Sequence, residues 1–261
     1  MNKKAMIETE DKKAKKIFAL IMIGAGIVGM LVGISAALIE EVSLPMDEIF
    51  ERMRNLMVYV IPVLAVLLNI VIFSICFIWL KKIDQLYQNW DGEDEEADRI
   101  MDQGLDRVNA TSTIFMIVIM FLYGAEFFFF NRGEFSVTNL ILFAVTSIVF
   151  MIGLFGGVTI LKKSVNYAKL LNPEKRGSIY DLNFTKKWED SSDEREMFTR
   201  YKAGYQAYKT TQITCMILWV LFLFMEGAFK TGLLPMLITT VLWLVCTISY
   251  IAAANKLEKI Y

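Results

Sequence analysis

Three polar side chains lie inside long apolar stretches of this 261-residue sequence, and they are the residues best placed to do chemistry. Asn69 lies near the middle of the second stretch, and Glu126 and Glu226 lie in the outer halves of the third and fifth. An ionisable side chain is costly to bury in hydrocarbon, so it indicates a functional site unless it is paired. The two glutamates would suit a transporter if they line one polar pocket or bind a cation. They are interfacial instead if Arg132 and Lys230 pair with them.

The sequence contains few of the side-chain patterns that enzymes use for catalysis. Histidine is absent, which removes the commonest general base and the commonest metal ligand. The phosphate-binding loop, the zinc-protease helix motif and the strand-to-helix nucleophile elbow are absent as well. Cys76, Cys215 and Cys246 lie in apolar stretches without metal-ligand spacing, so we expect small buried residues. We therefore predict a protein that is not an enzyme, with no catalytic residue, cofactor or metal site.

Aromatic residues alternate with lysines between residues 162 and 211, and they form a second candidate site, a docking face. One helical face collects four residues spaced by three or four positions: Met197, Tyr201, Tyr205 and Tyr208. Together with Trp188, such a face either anchors at lipid headgroups or docks another protein. The net charge of −1 gives no basic field for nucleic acid. The expected partners are the lipid bilayer and a membrane or cytoplasmic protein, and a homo-oligomer is compatible with the sequence.

Six long apolar stretches must position these residues. The sequence is 56% hydrophobic with a mean hydropathy of +0.46, and its apolar residues are concentrated in segments long enough to cross a bilayer. These segments are residues 17–39, 57–80, 113–130, 137–161, 212–229 and 234–254. The first follows a lysine-rich start but is too long for an ordinary cleaved signal, so we expect it to be retained. The predicted fold is all-α, a polytopic membrane bundle of six transmembrane helices in a single domain.

The distribution of basic residues predicts the orientation of these spans. Of the 27 lysines and arginines, 23 lie in the two terminal tails and in the loops at 81–112 and 162–211. The other four lie in the remaining loops: Arg52, Arg54, Arg132 and Lys230. Because basic loops stay on the cytoplasmic side, both termini and the two long loops are predicted to be cytoplasmic in a cell membrane.

The outer loop at 40–56 predicts a short helix of its own. Ser43 could cap it, with Pro45 in its first turn. Its apolar stripe would consist of Ile49, Phe50, Met53 and Leu56. Such a helix would lie on the outer membrane surface before the chain turns into the second span.

An internal repeat predicts that the spans form three parallel hairpin units. Shifting the sequence by 100 residues aligns 93–126 with 193–226 without a gap. Six positions are identical in this alignment, and Glu126 and Glu226 are one of the matching pairs. The alternative interpretation is that membrane composition alone produces these identities.

The repeat also predicts that helices three and five extend into the cytoplasm. Ser191 and Glu194 have capping-box spacing, which predicts one unbroken helix over 192–229. The earlier copy predicts an unbroken helix over 96–130. The stripe that corresponds to the tyrosine face is Met101, Leu105 and Val108. We expect these stripes to pack against each other rather than to hold a cofactor.

The segment around the start of the fifth helix resembles a known family. The resemblance is carried by Asn172-Pro173-Glu174-Lys175, by Lys187-Trp188 with Ser192-Asp193-Glu194, and by Tyr201-Lys202-Ala203 with Tyr205 and Ala207-Tyr208. These residues resemble the central pattern of the domain-of-unknown-function 3169 family, six-span membrane proteins of Gram-positive bacteria with a similar span layout. The resemblance implies a bacterial cytoplasmic-membrane protein, often encoded beside a small helix-turn-helix regulator. It implies no activity and no functional residue.

Two functions remain open at this point. The extended helix and the tyrosine face favour a non-enzymatic partner or sensor subunit whose cytoplasmic helices dock another protein. The matching glutamates favour a small transporter or export permease that uses the Glu126 and Glu226 region.

Overall fold

The computed structural model describes residues 46–132, 136–229 and 231–258, together with seven helical positions between 20 and 34. Every regular element in these ranges is an α-helix. In chain order they are α1 (Met46–Gln88), α2 (Glu95–Arg132), α3 (Val137–Leu171), α4 (Phe184–Asp190), α5 (Glu194–Phe229) and α6 (Leu234–Glu258). All except α4 are long and apolar enough to cross a membrane, which makes five candidate spans among the described residues. The span predicted at 17–39 lies outside them apart from the seven positions.

The chain divides into two compact units. The first runs from Met46 to Met197 and contains three long helices, α1, α2 and α3, together with the short α4 and the first residues of α5. We call it the three-helix unit. The second, the hairpin unit, contains Phe198–Tyr261 together with Met1–Pro45, and its described part is most of α5 and all of α6.

Helix α1 is continuous over 43 residues, and the prediction of a separate surface helix before the second span is wrong. Pro62 lies inside α1 without ending it. The first turns stay in line because they pack against the end of α2. The Phe50 ring centroid lies 6.2 Å from that of Phe128, and the Arg54 guanidinium donates a 3.1 Å hydrogen bond to the Arg132 carbonyl. Ser43 and Pro45, the predicted cap and first turn, lie outside the described residues.

The core of the three-helix unit is a stripe along α2 that packs between α1 and α3. Its buried residues are spaced by three, four or seven positions, as in a coiled-coil seam. They are Met101, Leu105, Val108, Ser112, Phe115, Ile119 and Glu126. The first three pack with Leu80, Ile83 and Leu171, so this predicted stripe is core and its main contacts are with α1 and α3.

Two glycines let α3 approach the other helices of this core closely. A Cβ atom on Gly153 would lie 3.1 Å from the Asn69 Oδ1 atom and 3.2 Å from the Phe115 ring. A Cβ on Gly157 would lie 2.9 Å from the Met116 side chain. Larger residues would therefore push the helices apart, which is the reason for small residues at helix contacts in membranes.

Both predicted long helices are unbroken, but the predicted cap of the second is wrong. Helix α2 has 38 residues and α5 has 36, in agreement with the predicted helices over 96–130 and 192–229. The Asp193 carboxylate accepts a 2.6 Å hydrogen bond from the Glu196 amide and so caps α5. Ser191 instead ends α4, where its hydroxyl donates to the Trp188 carbonyl and accepts from the Arg176 amide.

In the hairpin unit, α5 and α6 pack along one seam. The Tyr208 and Tyr250 rings stack with centroids 4.2 Å apart. One helical turn further on, the Gln212 amide donates a 3.0 Å hydrogen bond to the Thr247 hydroxyl and accepts one from the Trp243 indole. Polar side chains therefore join the two helices inside their apolar segments, as is common between membrane helices.

Candidate functional site

Glu126 is fully buried in the three-helix unit. Its relative exposure is 0%, and neither carboxylate oxygen has a hydrogen-bond partner among the described residues. Its place on the α2 stripe explains the burial, because the stripe points toward α1 and α3 along its whole length. A buried carboxylate without a hydrogen-bond partner destabilises the folded protein. Glu126 therefore either lowers stability without a function or belongs to a functional site.

The expected pairing of Glu126 with Arg132 is absent from the described part of the chain. The Arg132 guanidinium lies over the Phe128 ring, 4.6 Å from its centroid, and the Arg132 side chain is exposed. Among the described residues, no ion pair involves Glu126 or Arg132. Arg132 therefore belongs to the aromatic C-terminal end of α2, and it does not neutralise the buried carboxylate.

Asn69 also lies in the three-helix unit, at another level of the core. Its amide donates a 2.9 Å hydrogen bond to the Ala65 carbonyl one turn back, while its Oδ1 atom faces Gly153 without a hydrogen-bond donor. Gly153 also faces Phe115, which is eleven residues before Glu126 on α2. Eleven residues correspond to about 16 Å along a helix. Asn69 and Glu126 are therefore separate polar positions in this core.

Glu226 lies in the hairpin unit and closes the turn between α5 and α6. Its Oε2 atom accepts hydrogen bonds from the Thr231 hydroxyl and from the Gly232 amide. Gly232 has φ +81°, a conformation that favours glycine, so the turn and the carboxylate fit each other. Lys230, the predicted partner of Glu226, lies outside the described residues. The two glutamates that match in sequence therefore have different surroundings, one without donors and the other with two.

Trp188 packs within the segment that joins α3 to α5. Its ring lies 5.4 Å from the Phe184 ring and 5.6 Å from the Lys175 ammonium. Lys175 is 8% exposed, pairs with Glu196 and donates a 3.1 Å hydrogen bond to the Ser192 hydroxyl. The segment is thus folded around one buried ammonium group. Sequence reasoning missed this role of Lys175, although the residue stands inside the family pattern.

The tyrosine face divides into a covered part and an exposed part. Tyr208 is half-buried by its stacking on Tyr250. Tyr205 and Tyr201 are 51% and 59% exposed. Phe198, which the sequence analysis did not include, is 67% exposed. The predicted stripe begins at Met197, whereas the spacing that fits the covered end of the seam leads to Phe198.

Two carboxyl groups of the three-helix unit, Asp84 and Asp102, take part in interactions that shift pKa values. Asp84 accepts a 2.6 Å hydrogen bond from the Tyr167 phenol, and burial together with this contact raises the pKa of Tyr167 to about 12. The pKa of Asp102 is raised by desolvation first and then by Asp98, Asp106 and Glu196, while Lys175 lowers it. Tyr167 is therefore a permanent donor, and Asp102 belongs to a patch of mutual repulsion.

Metal chemistry gains no support from the described residues, where no three acidic or cysteine side chains come together. Cys76 and Cys215 are buried and Cys246 is half-buried, each as a free thiol.

Comparison with known proteins places the chain in a family. A search of curated proteins and a search of solved structures found no match. The family described as "Protein of unknown function (DUF3169)" matches residues 11–254. This match covers nearly the whole sequence. The five long apolar helices of the described residues indicate a multi-pass membrane protein. The chain is a member of the DUF3169 family.

Proposed function

We propose that this protein is a non-enzymatic membrane subunit that docks another protein on the cytoplasmic part of α5. The observation that carries the proposal is the exposed aromatic seam formed by Phe198, Tyr201 and Tyr205, whose side chains are 67%, 59% and 51% exposed. A contiguous apolar face on a helix outside the bilayer indicates an interaction site.

Helix α6 contacts the seam at Tyr208 and Gln212. Its positions alternate by three and four residues from Phe198 through Tyr208 and Gln212 to Cys215. Tyr208 pairs with Tyr250 and Gln212 pairs with Thr247, so the antiparallel register would place Tyr201 near residue 257. The described part of α6 ends at Glu258. The part of the seam before Tyr208 keeps exposed aromatic surface, with Tyr205 51% and Tyr201 59% exposed, and we propose that a further helix covers it.

The flanks of the seam specify the chemistry of the partner. Lys202 and Lys209 occupy the position next to the seam in successive heptads, and charges there select partners with opposite charges. Gly204 flanks the seam on the other side, and a Cβ atom there would meet nothing within 4 Å. The partner that fits is an amphipathic helix of another protein, with an apolar stripe bordered by Asp or Glu.

The test is quantitative co-purification of the full chain from its native membranes, comparing two double variants. Phe198→Ala with Tyr201→Ala removes the exposed anchors and leaves the contact of Tyr208 with Tyr250 intact. Gln206→Ala with Thr210→Ala makes an equal number of changes on the opposite face of α5. Aromatic hot spots cost ~2 kcal/mol or more on truncation, so the first variant should lose the partner by at least roughly thirtyfold.

The expected partner also responds to charge. Lys202→Glu with Lys209→Glu should weaken its retention, because the flanking positions would then repel an acidic helix. Equal recovery of the partner with the seam variant and the opposite-face variant would contradict the proposal. So would a seam that cross-links only to a second copy of the chain.

Transport is the second candidate function, and one observation favours it. Glu126 is buried with both carboxylate oxygens free of hydrogen bonds among the described residues, as expected for an ion or proton site. Glu226 adds nothing to it, because its carboxylate is occupied by the α5–α6 turn. In a transporter, Glu126→Gln should abolish flux while leaving the fold intact.

A further inference from the structure

A continuous groove runs along the surface between α1 and α3 in the three-helix unit. Three adjoining cavities of about 620, 450 and 690 Å³ follow this seam. The first and second share the wall residues Phe73, Gly156 and Thr159, and the second and third share Phe77, Leu80 and Lys163. We call this feature the α1–α3 groove.

The groove is apolar over the part that lies within the spans. Phe73 covers Gly156 so closely that a Cβ atom there would lie 2.2 Å from its ring. The ring and the bare backbone form a smooth apolar floor. From Ser147 to Lys163 the wall covers 17 residues of α3, about 24 Å along the helix. This is longer than one leaflet of hydrocarbon, which is about 15 Å thick.

The chemistry changes at one end of the groove. Lys81 on α1 and Lys163 on α3 line the same cavity, and both side chains are exposed. In the part of the chain that the structure describes, neither lysine forms an ion pair. Asp84 lines this end too, but its two oxygens accept hydrogen bonds from Tyr167 and Gln88. This end of the groove therefore has two lysines without ion pairs among the described residues, Lys81 and Lys163. The nearby Asp84 carboxylate is occupied by hydrogen bonds within the protein.

We infer that the α1–α3 groove binds one anionic phospholipid, with an acyl chain along Phe73 and Phe77 and the phosphate between Lys81 and Lys163. An acyl chain fits the apolar floor, and the phosphate supplies the negative charge that the two lysines lack. The polar end lies at the boundary where the predicted spans end, which is the depth of a lipid headgroup.

The neighbouring lysines provide a matched control. Lys82 is adjacent to Lys81 but does not line the groove. Lys162 is adjacent to Lys163, and its ammonium lies over the Tyr180 ring, 5.1 Å from the centroid. All four residues have the same charge and nearly the same depth. General attraction to an anionic surface would use all four, whereas a specific site uses only Lys81 and Lys163.

The experiment is native mass spectrometry of the full chain in detergent, titrated with phosphatidylglycerol or with phosphatidylcholine. The unchanged protein should retain one phosphatidylglycerol in preference to phosphatidylcholine. Lys81→Ala with Lys163→Ala should reduce this retention roughly tenfold to thirtyfold, since each interfacial lysine contributes about fivefold. Lys82→Ala with Lys162→Ala should leave it unchanged. Equal losses in the two double variants would overturn the inference.

A second pair of variants tests the acyl chain. Thr159→Trp fills the groove from its exposed wall and should displace the lipid, while Ile78→Trp places the same side chain on an exposed α1 position outside the groove. Retention that is unaffected by Thr159→Trp would contradict the site. A photo-reactive residue at 159 should cross-link to lipid. Cross-linking instead to residues 17–39 or to a second copy would assign the groove to protein and overturn the inference.

Discussion

At the scale of single residues, two glutamates that match in sequence have opposite energetic roles. Glu126 is buried without a hydrogen-bond donor among the described residues, while Glu226 accepts hydrogen bonds from Thr231 and Gly232. The sequence pattern located both residues but could not separate them. The difference depends on the turn that follows α5, where Gly232 brings its amide back to the carboxylate.

This contrast predicts stability changes of opposite sign. Glu126→Leu should stabilise the protein by about 1–3 kcal/mol, because it removes a buried polar group without a partner. Glu226→Leu should destabilise it, because the turn loses its acceptor. Thermal unfolding of the full chain in detergent measures both. Destabilisation by Glu126→Leu would instead indicate that the carboxylate binds an ion or a proton, and would favour the transporter.

Asp102 provides a pH-dependent prediction. Its pKa is raised by desolvation and by the nearby carboxylates, so the charged form is disfavoured in the folded protein above that pKa. The penalty disappears as the pH falls through the raised pKa, because the carboxyl group then becomes neutral. Asp102→Asn should therefore raise the unfolding temperature at pH 7, and the gain should vanish on acidification. Two like-charged pairs at i±4 cost about 0.2–0.5 kcal/mol each. A gain that is constant with pH would contradict this.

At the scale of elements, the extent of the two long helices was predicted well, but the separate outer helix and the cap of α5 were not. Helices α2 and α5 begin and end within two residues of the predicted bounds, since acidic first turns and long apolar runs are local signals. The separate outer helix was wrong because Phe50 and Arg54 contact the end of α2, and such tertiary contacts are invisible in sequence. The cap was wrong because Ser191 has partners of its own in Trp188 and Arg176.

The cap can be tested directly. Asp193→Ala should destabilise the start of α5 by about 0.5–2 kcal/mol, and hydrogen exchange of the first-turn amides should accelerate accordingly. Asp193→Asn keeps an acceptor at the cap and should change the exchange little. If Ser191→Ala accelerates these amides and Asp193→Ala does not, the capping box predicted from sequence is the correct one after all.

At the scale of the whole molecule, the family and the membrane-spanning character could be predicted from the sequence, whereas the surroundings of the candidate site residues could not. The length of the apolar stretches predicts the membrane-spanning character, and the pattern over 172–208 predicts the family. The exposure of Phe198 and the burial of Lys175 depend on how α5 and α6 pack and on how the segment between α3 and α5 folds. Such features follow from packing between distant segments, and no local pattern encodes them.

Orientation is a prediction for the whole chain. The distribution of basic residues places 81–112 and 162–211 in the cytoplasm. Reporter fusions after residues 90 and 180 should therefore read cytoplasmic, and fusions after 133 and 231 should read external. An external signal at 180 would place the aromatic seam on the wrong side of the membrane for a cytoplasmic partner.

The most direct test of the docking proposal is a photo-cross-linking scan along α5 in native membranes. A photo-reactive residue is placed at each position from 198 to 206, and cross-linked products are identified by mass spectrometry. The seam predicts products with another polypeptide at 198, 201 and 205 and none at 199, 203 and 206, because the latter lie on the opposite face of the helix. Equal products on both faces, or products only within the chain, would contradict the account.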